Sequence, residues 1–162
     1  MTTDKPTRER LHTRVITVEG FRRSDGLYEI EGRLRDSKTY EFVSPGVQRA
    51  AGAPIHEMSM RLVVDSKMLI SQADALSLAA PTQFCKPIAG AYSSLVGMSM
   101  TQGFTRALRE RFGGVAGCTH HTELLRTMAI SGEVLKVGRG KYTLPDITPH
   151  HIDHKITKGT ES

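Results

Sequence analysis

The chain has no tryptophan, only two cysteines (Cys85 and Cys118), and aromatics at 6% of its 162 residues. Two thiols cannot build a disulfide framework, which excludes the cysteine-stapled secreted domains. No apolar run approaches the ~20 residues that cross a bilayer, and the first ten residues are polar and charged. A membrane protein is therefore not expected, and a reducing cytoplasm is the expected compartment. The chain also lacks the aromatic stacking platforms of single-strand nucleic-acid binders, although its net charge is +5. Arg106, Arg109, Arg111 and Arg126 form the most one-sided basic stretch, and without such platforms they read as a solvated face. That argues against nucleic acid as a partner. A protein partner or a second copy of the chain stays open.

What is present suits a soluble domain: 38% hydrophobic and 24% charged residues, enough apolar mass for one core. Residues 1–10 read as a flexible arm, 11–132 as a single domain, and 133–162 as an extension holding at most a short hairpin and then a tail. Leu11 to Glu19 alternates, with Leu11, Thr13, Val15 and Thr17 on one side and His12, Arg14, Ile16 and Val18 on the other. Ser24-Asp25-Gly26 is a hairpin turn. Tyr28, Ile30, Gly32 and Leu34 form one face of the next strand. Ser37 to Pro54 reads as a loop with a short edge strand near Tyr40 to Val43. Met58 to Asp65 and Met68 to Leu78 make the next antiparallel pair, the second with Ile70, Gln72 and Asp74 on one side and Ala73 and Ala75 on the other.

The period then changes to helical. Pro87 opens a helix carrying Ile88, Ala91, Tyr92 and Leu95. A second runs from Ser99 to Phe112, ended by Gly113-Gly114. A third begins at Thr119 and carries Leu124, Leu125, Met128 and Ala129 up to Gly132. Strands first and helices after predict an α+β domain. It is an antiparallel meander of three to four strands, with a possible extra hairpin, and about three helices on one face.

His56 precedes the third strand, Cys85 the first helix, and Cys118 the third helix, within Gly117-Cys118-Thr119-His120-His121. Each sits at an element boundary that can lie at one end of the layer. Two thiols and one or two imidazoles are a borderline-soft donor set that suits Zn²⁺, iron or an iron–sulfur cluster. A thiol at a helix N-terminus faces unpaired N–H groups and the positive end of the dipole, which favour the thiolate. The bland alternative is that each Cys is a small buried hydrophobe. His56, Cys85 and Cys118 are the expected ligands, His120 the fourth, with Glu57 as another fourth donor or an outer carboxylate. Adjacent His120 and His121 diverge by ~100° on a helix, so one of the two faces the site. Cys118 or Cys85 as a nucleophile, with His56 or His120 as base, is the competing enzymatic or sulfur-transfer reading. A small-molecule or nucleic-acid binding module is the third. His150, His151 and His154 read as a polar tail.

His12-Thr13-Arg14, Gly20-Phe21-Arg22-Arg23-Ser24-Asp25-Gly26-Leu27, Ile55-His56-Glu57-Met58 and Gly113 to His120 together resemble the bacterial family DUF2889 over roughly Arg10 to Ala129. Two positions depart from its pattern: Glu57 stands where Asp is expected and His121 where Leu is expected. More distantly, the order from Ile55 onward is similar to the NifU/IscU iron–sulfur scaffolds and their SufE-like relatives. That resemblance implies a meander followed by helices with three cysteines at one end. It places His56, Cys85 and Cys118 where those cysteines stand. A His in place of a Cys shifts the expectation from a transferable cluster toward a retained ion such as Zn²⁺.

Overall fold

Alternating side chains and a glycine turn bring the first two strands together, and the helices close over one side of the sheet they start. A computed structural model describes residues 6–81, 88–101 and 103–137, with side chains to residue 135. Among the described residues there are six strands: β1 (His12–Arg22), β2 (Tyr28–Lys38), β3 (Phe42–Ser44), β4 (Val47–Arg49), β5 (Pro54–Val64) and β6 (Ile70–Ala79). They are followed by a 3-10 helix at Gly90–Leu95, helix α1 (Phe104–Phe112), a 3-10 turn at Gly114–Ala116 and helix α2 (Thr119–Val137). The main sheet is antiparallel in the order β1-β2-β5-β6, and β3 and β4 form a separate hairpin. The architecture is α+β. No described helix is long and apolar enough to cross a membrane.

The register stacks the helix-facing residues in rows across the sheet. Gly20, Ile30, Leu62 and Ala73 form one row; Val18, Gly32, Met60 and Ala75 the next; Ile16, Leu34, Met58 and Ser77 the third. The fourth row is polar: Arg14, Asp36 and His56. The apolar rows pack on Leu124, Leu125 and Met128 of α2 and on Phe104, Leu108 and Phe112 of α1. Those α1 residues recur every four positions and so share one helix face. Gly32 lets α2 approach closely, because a Cβ there would lie 2.6 Å from the Met128 sulfur.

Several expectations need correction. The strand expected third, β5, begins at Pro54, so His56 lies within it and does not precede it. The 37–54 segment contains a hairpin rather than one short strand; Gly46, at φ 75°, supplies the positive-φ turn position after Pro45. In β6 the sides switch: a register shift at Val63/Val64 buries Ile70 together with the partly buried Ala73 and Ala75, leaving Gln72 and Asp74 exposed. The second helix starts at Phe104, since Ser99 bridges to Leu69 and Gly103 stands at φ 87° before the first turn. The third helix runs through Gly132 to Val137, so residues 133–137 are helical and not part of a hairpin. The expected helix start at Pro87 lies outside the described residues, and the chain at Gly90–Leu95 is a 3-10 helix.

Candidate metal centre

Asp36 continues the inward-facing set of β2 past Leu34, at the end of the sheet where the helices begin. It is 3% exposed. A carboxylate at that depth is costly unless paired, and Asp36 is paired on every side. Arg14, its cross-strand neighbour on β1, donates Nε to Oδ1 at 2.7 Å and Nη2 to Oδ2 at 2.8 Å. The remaining Nη1 of Arg14 donates to Glu123 of α2 at 2.7 Å, tying the helix start to the edge strand.

Three imidazoles surround the same carboxylate. His56 Nδ1, from β5, lies 3.2 Å from Oδ2; His120 Nε2, from the first turn of α2, lies 3.7 Å from Oδ2. The half-exposed His12 places Nε2 3.3 Å from Oδ1. The rings of His56 and His120 stack with centroids 3.8 Å apart and planes 30° apart. The ligand atoms of Asp36, His56 and His120 all lie within 4.8 Å of one another, a spacing that one metal ion can bridge.

Electrostatics follow from burial and pairing. Burial pushes the Asp36 carboxyl up, but the Arg14 hydrogen bonds and charge, aided by His56 and His12, hold it below the usual carboxylate range. Burial lowers His56, with repulsion from His120 adding to it and attraction to Asp36 opposing it. Burial likewise lowers His120 against the pull of Asp36. Arg14 is raised by its bonds to Asp36.

Cys118 is buried at the mouth of α2, packed on Met58, Ala80 and Ile88, with its sulfur 3.9 Å from His120 Nδ1. Tyr92, fully buried, fixes this corner. Its hydroxyl accepts from the Cys118 N–H at 2.9 Å and lies 3.0 Å from the Cys118 carbonyl and 3.3 Å from Thr122 Oγ1. The ring stacks on Phe112.

Of the expected site residues, His56, Cys118 and His120 thus meet at one rim. Glu57 does not join them. Its position on β5 points it to the opposite face of the sheet, where it pairs with Arg33 at 2.7 Å. Cys85 and the tail histidines lie outside the described residues. Of the two adjacent histidines, His120 faces the site. His121 is fully buried, its Nε2 3.3 Å from the Leu76 carbonyl oxygen and its Nδ1 unpartnered. Burial lowers its pKa as well, against the bond to Leu76. The basic stretch is partly internally satisfied: Arg106 pairs with Glu110, and Arg111 donates to the Ser94 carbonyl.

Asp36 and Arg14 were not singled out by the sequence reading. The signal for both was alternation. Arg14 shares the side of Ile16 and Val18, and Asp36 extends the set Tyr28, Ile30, Gly32, Leu34, so each charge falls on an inward-facing position.

The family model described as "Protein of unknown function (DUF2889)" matches residues 12–131. No curated protein and no solved structure matches the chain. Three of the four segments behind the family resemblance, those holding His12 and Arg14, His56, and His120, converge on Asp36.

Proposed function

This chain belongs to the DUF2889 family, and from that premise we propose that it binds one metal ion per chain, zinc or ferrous iron, at Asp36, His56 and His120. The observation that carries the reading is the convergence of one carboxylate oxygen and two imidazole nitrogens within 4.8 Å, drawn from β2, β5 and α2. An oxygen and two nitrogens are the donors of a hydrolytic zinc or non-haem iron site rather than of a sulfur-rich cluster. His56 and His120 retain about a fifth of their side-chain exposure, so a coordination position faces solvent. The Cys118 sulfur, close to His120, is the nearest further donor. Arg14 plays the outer part, holding the Asp36 carboxylate ionised and oriented.

Elemental analysis of protein without a histidine tag, after anaerobic loading with Zn²⁺ or Fe²⁺ and gel filtration, tests this. Stoichiometric metal is expected, lost in His56→Ala and His120→Ala and retained in Glu57→Gln. Unbound protein after loading, or His variants that load like the parent, would refute it.

A second reading has its own observation. The His120 ring lies between Cys118 and Asp36, with 3.9 Å from Sγ to Nδ1 and 3.7 Å from Nε2 to Oδ2. That is the order of a thiol nucleophile, its base and the carboxylate that orients the base. Here the thiol would be alkylated at the same rate with or without a chelator, whereas a thiol held at a metal becomes reactive only on chelation.

A further inference from the structure

The two edges of the sheet are treated differently. Along β6 the segment 97–100 covers the start of the strand. The Ile70 N–H donates to the Met98 carbonyl at 2.9 Å, the Gly97 N–H to the Ile70 carbonyl at 2.8 Å, and Leu69 bridges to Ser99. His121 reaches the Leu76 carbonyl further along. At the other edge β1 has β2 as its single strand neighbour among the described residues. It is eleven residues long, holds no proline, and pairs with β2 without a register shift. Of the charges that can blunt an edge, Arg14 points inward and is taken up by Asp36 and Glu123, while Glu19 and Arg22 lie toward the far end of the strand.

A second feature lies directly above this edge. Glu123, Thr127, Ile130 and Val134 recur at i, i+4, i+7 and i+11 on α2, so they form one stripe along the helix. The ion pair of Glu123 with Arg14 of β1 shows which way the stripe faces. Ile130 is 68% and Val134 66% exposed. Beneath the sheet, on the side away from the helices, Val15 and Phe21 of the same strand are about half exposed. One edge of the molecule thus offers free backbone flanked by apolar side chains above and below.

We propose that this edge is a homodimer interface, in which β1 pairs antiparallel with β1 of a second copy and the two α2 stripes meet across the two-fold axis. An antiparallel strand pair is self-complementary about a two-fold perpendicular to the sheet, and that operation keeps both helical layers on one side. A two-fold through Thr17 places Ile16 opposite the partner's Val18, and the reciprocal pair, under the helices. It sets Thr13 opposite the partner's Phe21 on the other face. Moving the axis to Val18 would oppose Arg14 to the partner's Arg22, a like-charge pair that disfavours that register. The result is a continuous eight-stranded sheet with the Ile130 and Val134 side chains removed from water.

Sedimentation velocity of the full chain at micromolar concentration is expected to show a dimer. The double change Ile130→Glu with Val134→Glu should weaken it by about 100-fold, the effect of burying charge at two contact positions. Its circular dichroism and melting should match the parent, because both side chains are exposed in the single chain. An equimolar mixture with Ile130→Lys, Val134→Lys should restore a dimer. A full chain that sediments as a monomer overturns the proposal, whether a foreign strand or this chain's own C-terminal segment then occupies the edge. So does a Glu double variant that dimerises like the parent.

Discussion

Asp36 holds its charge at almost complete burial, and Arg14 is the reason. The guanidinium fork satisfies both carboxylate oxygens and is itself braced by Glu123. Removing the fork leaves a buried anion with only imidazoles around it. Arg14→Ala is therefore expected to cost about 2–3 kcal/mol in urea unfolding, the lower part of the range for breaking a buried charged pair, because the Arg14 side chain is itself about one-third exposed. Arg14→Lys should recover only part of this, since an ammonium cannot engage both oxygens in the same plane. An Arg14→Ala protein as stable as the parent would mean that Asp36 needs no cation. His56, Cys118 and His120 were visible in the sequence as donor side chains near the expected starts of a strand and a helix, although His56 lies within β5 rather than before it. Asp36 was not, because its meaning depends on how far the alternation of β2 runs, and three further in-register residues decide that.

The start of α2 shows the same dependence at the scale of an element. Gly117 precedes Cys118, and a Cβ at Gly117 would lie 2.5 Å from the Phe112 carbonyl oxygen and 2.7 Å from the Phe112 Cβ. Neither atom can swing aside as a flexible side chain would. Gly117→Ala should move the segment that presents Cys118 and His120 and cost about 1–3 kcal/mol. Gly90→Ala, in open space, should leave the melting temperature near that of the parent. The alternating faces of β2 and the inner half of β5 could be read directly, since one side of each strand is apolar, whereas β1 carries apolar and polar residues on both sides. The faces of β6 could not, because a register shift at Val64 reverses their parity and leaves no mark in composition. Gly132 was read as a helix stop because glycine favours that role. Here it is a notch: a Cβ would lie 2.5 Å from Met68 Cε, and α2 passes through it without ending.

For the molecule as a whole, the ion pairs on the uncovered face of the sheet contribute to the acid response, beside the buried Asp36. Glu29 bonds Arg61 and Arg23, and Arg61 also bonds Asp74. The Arg61 hydrogen bond lowers Glu29 most, burial opposes it, and Arg23 adds to the lowering. A carboxyl depressed in the fold contributes stability above its unfolded pKa of about 4.3 and loses it as pH falls through the folded value. The urea midpoint should therefore drop below about pH 4, and Glu29→Gln should flatten that drop while lowering the plateau at neutral pH. A variant that follows the parent at every pH would place the acid sensitivity elsewhere.

Asp36 opposite His56 is the last regular pair between β2 and β5; the pairing slips at the next residue, just before the chain leaves for the small β3–β4 excursion. The slip works as an expansion joint. A residue added or removed between 39 and 53 would be taken up beyond it, leaving the arginine, carboxylate and imidazole of this chain aligned.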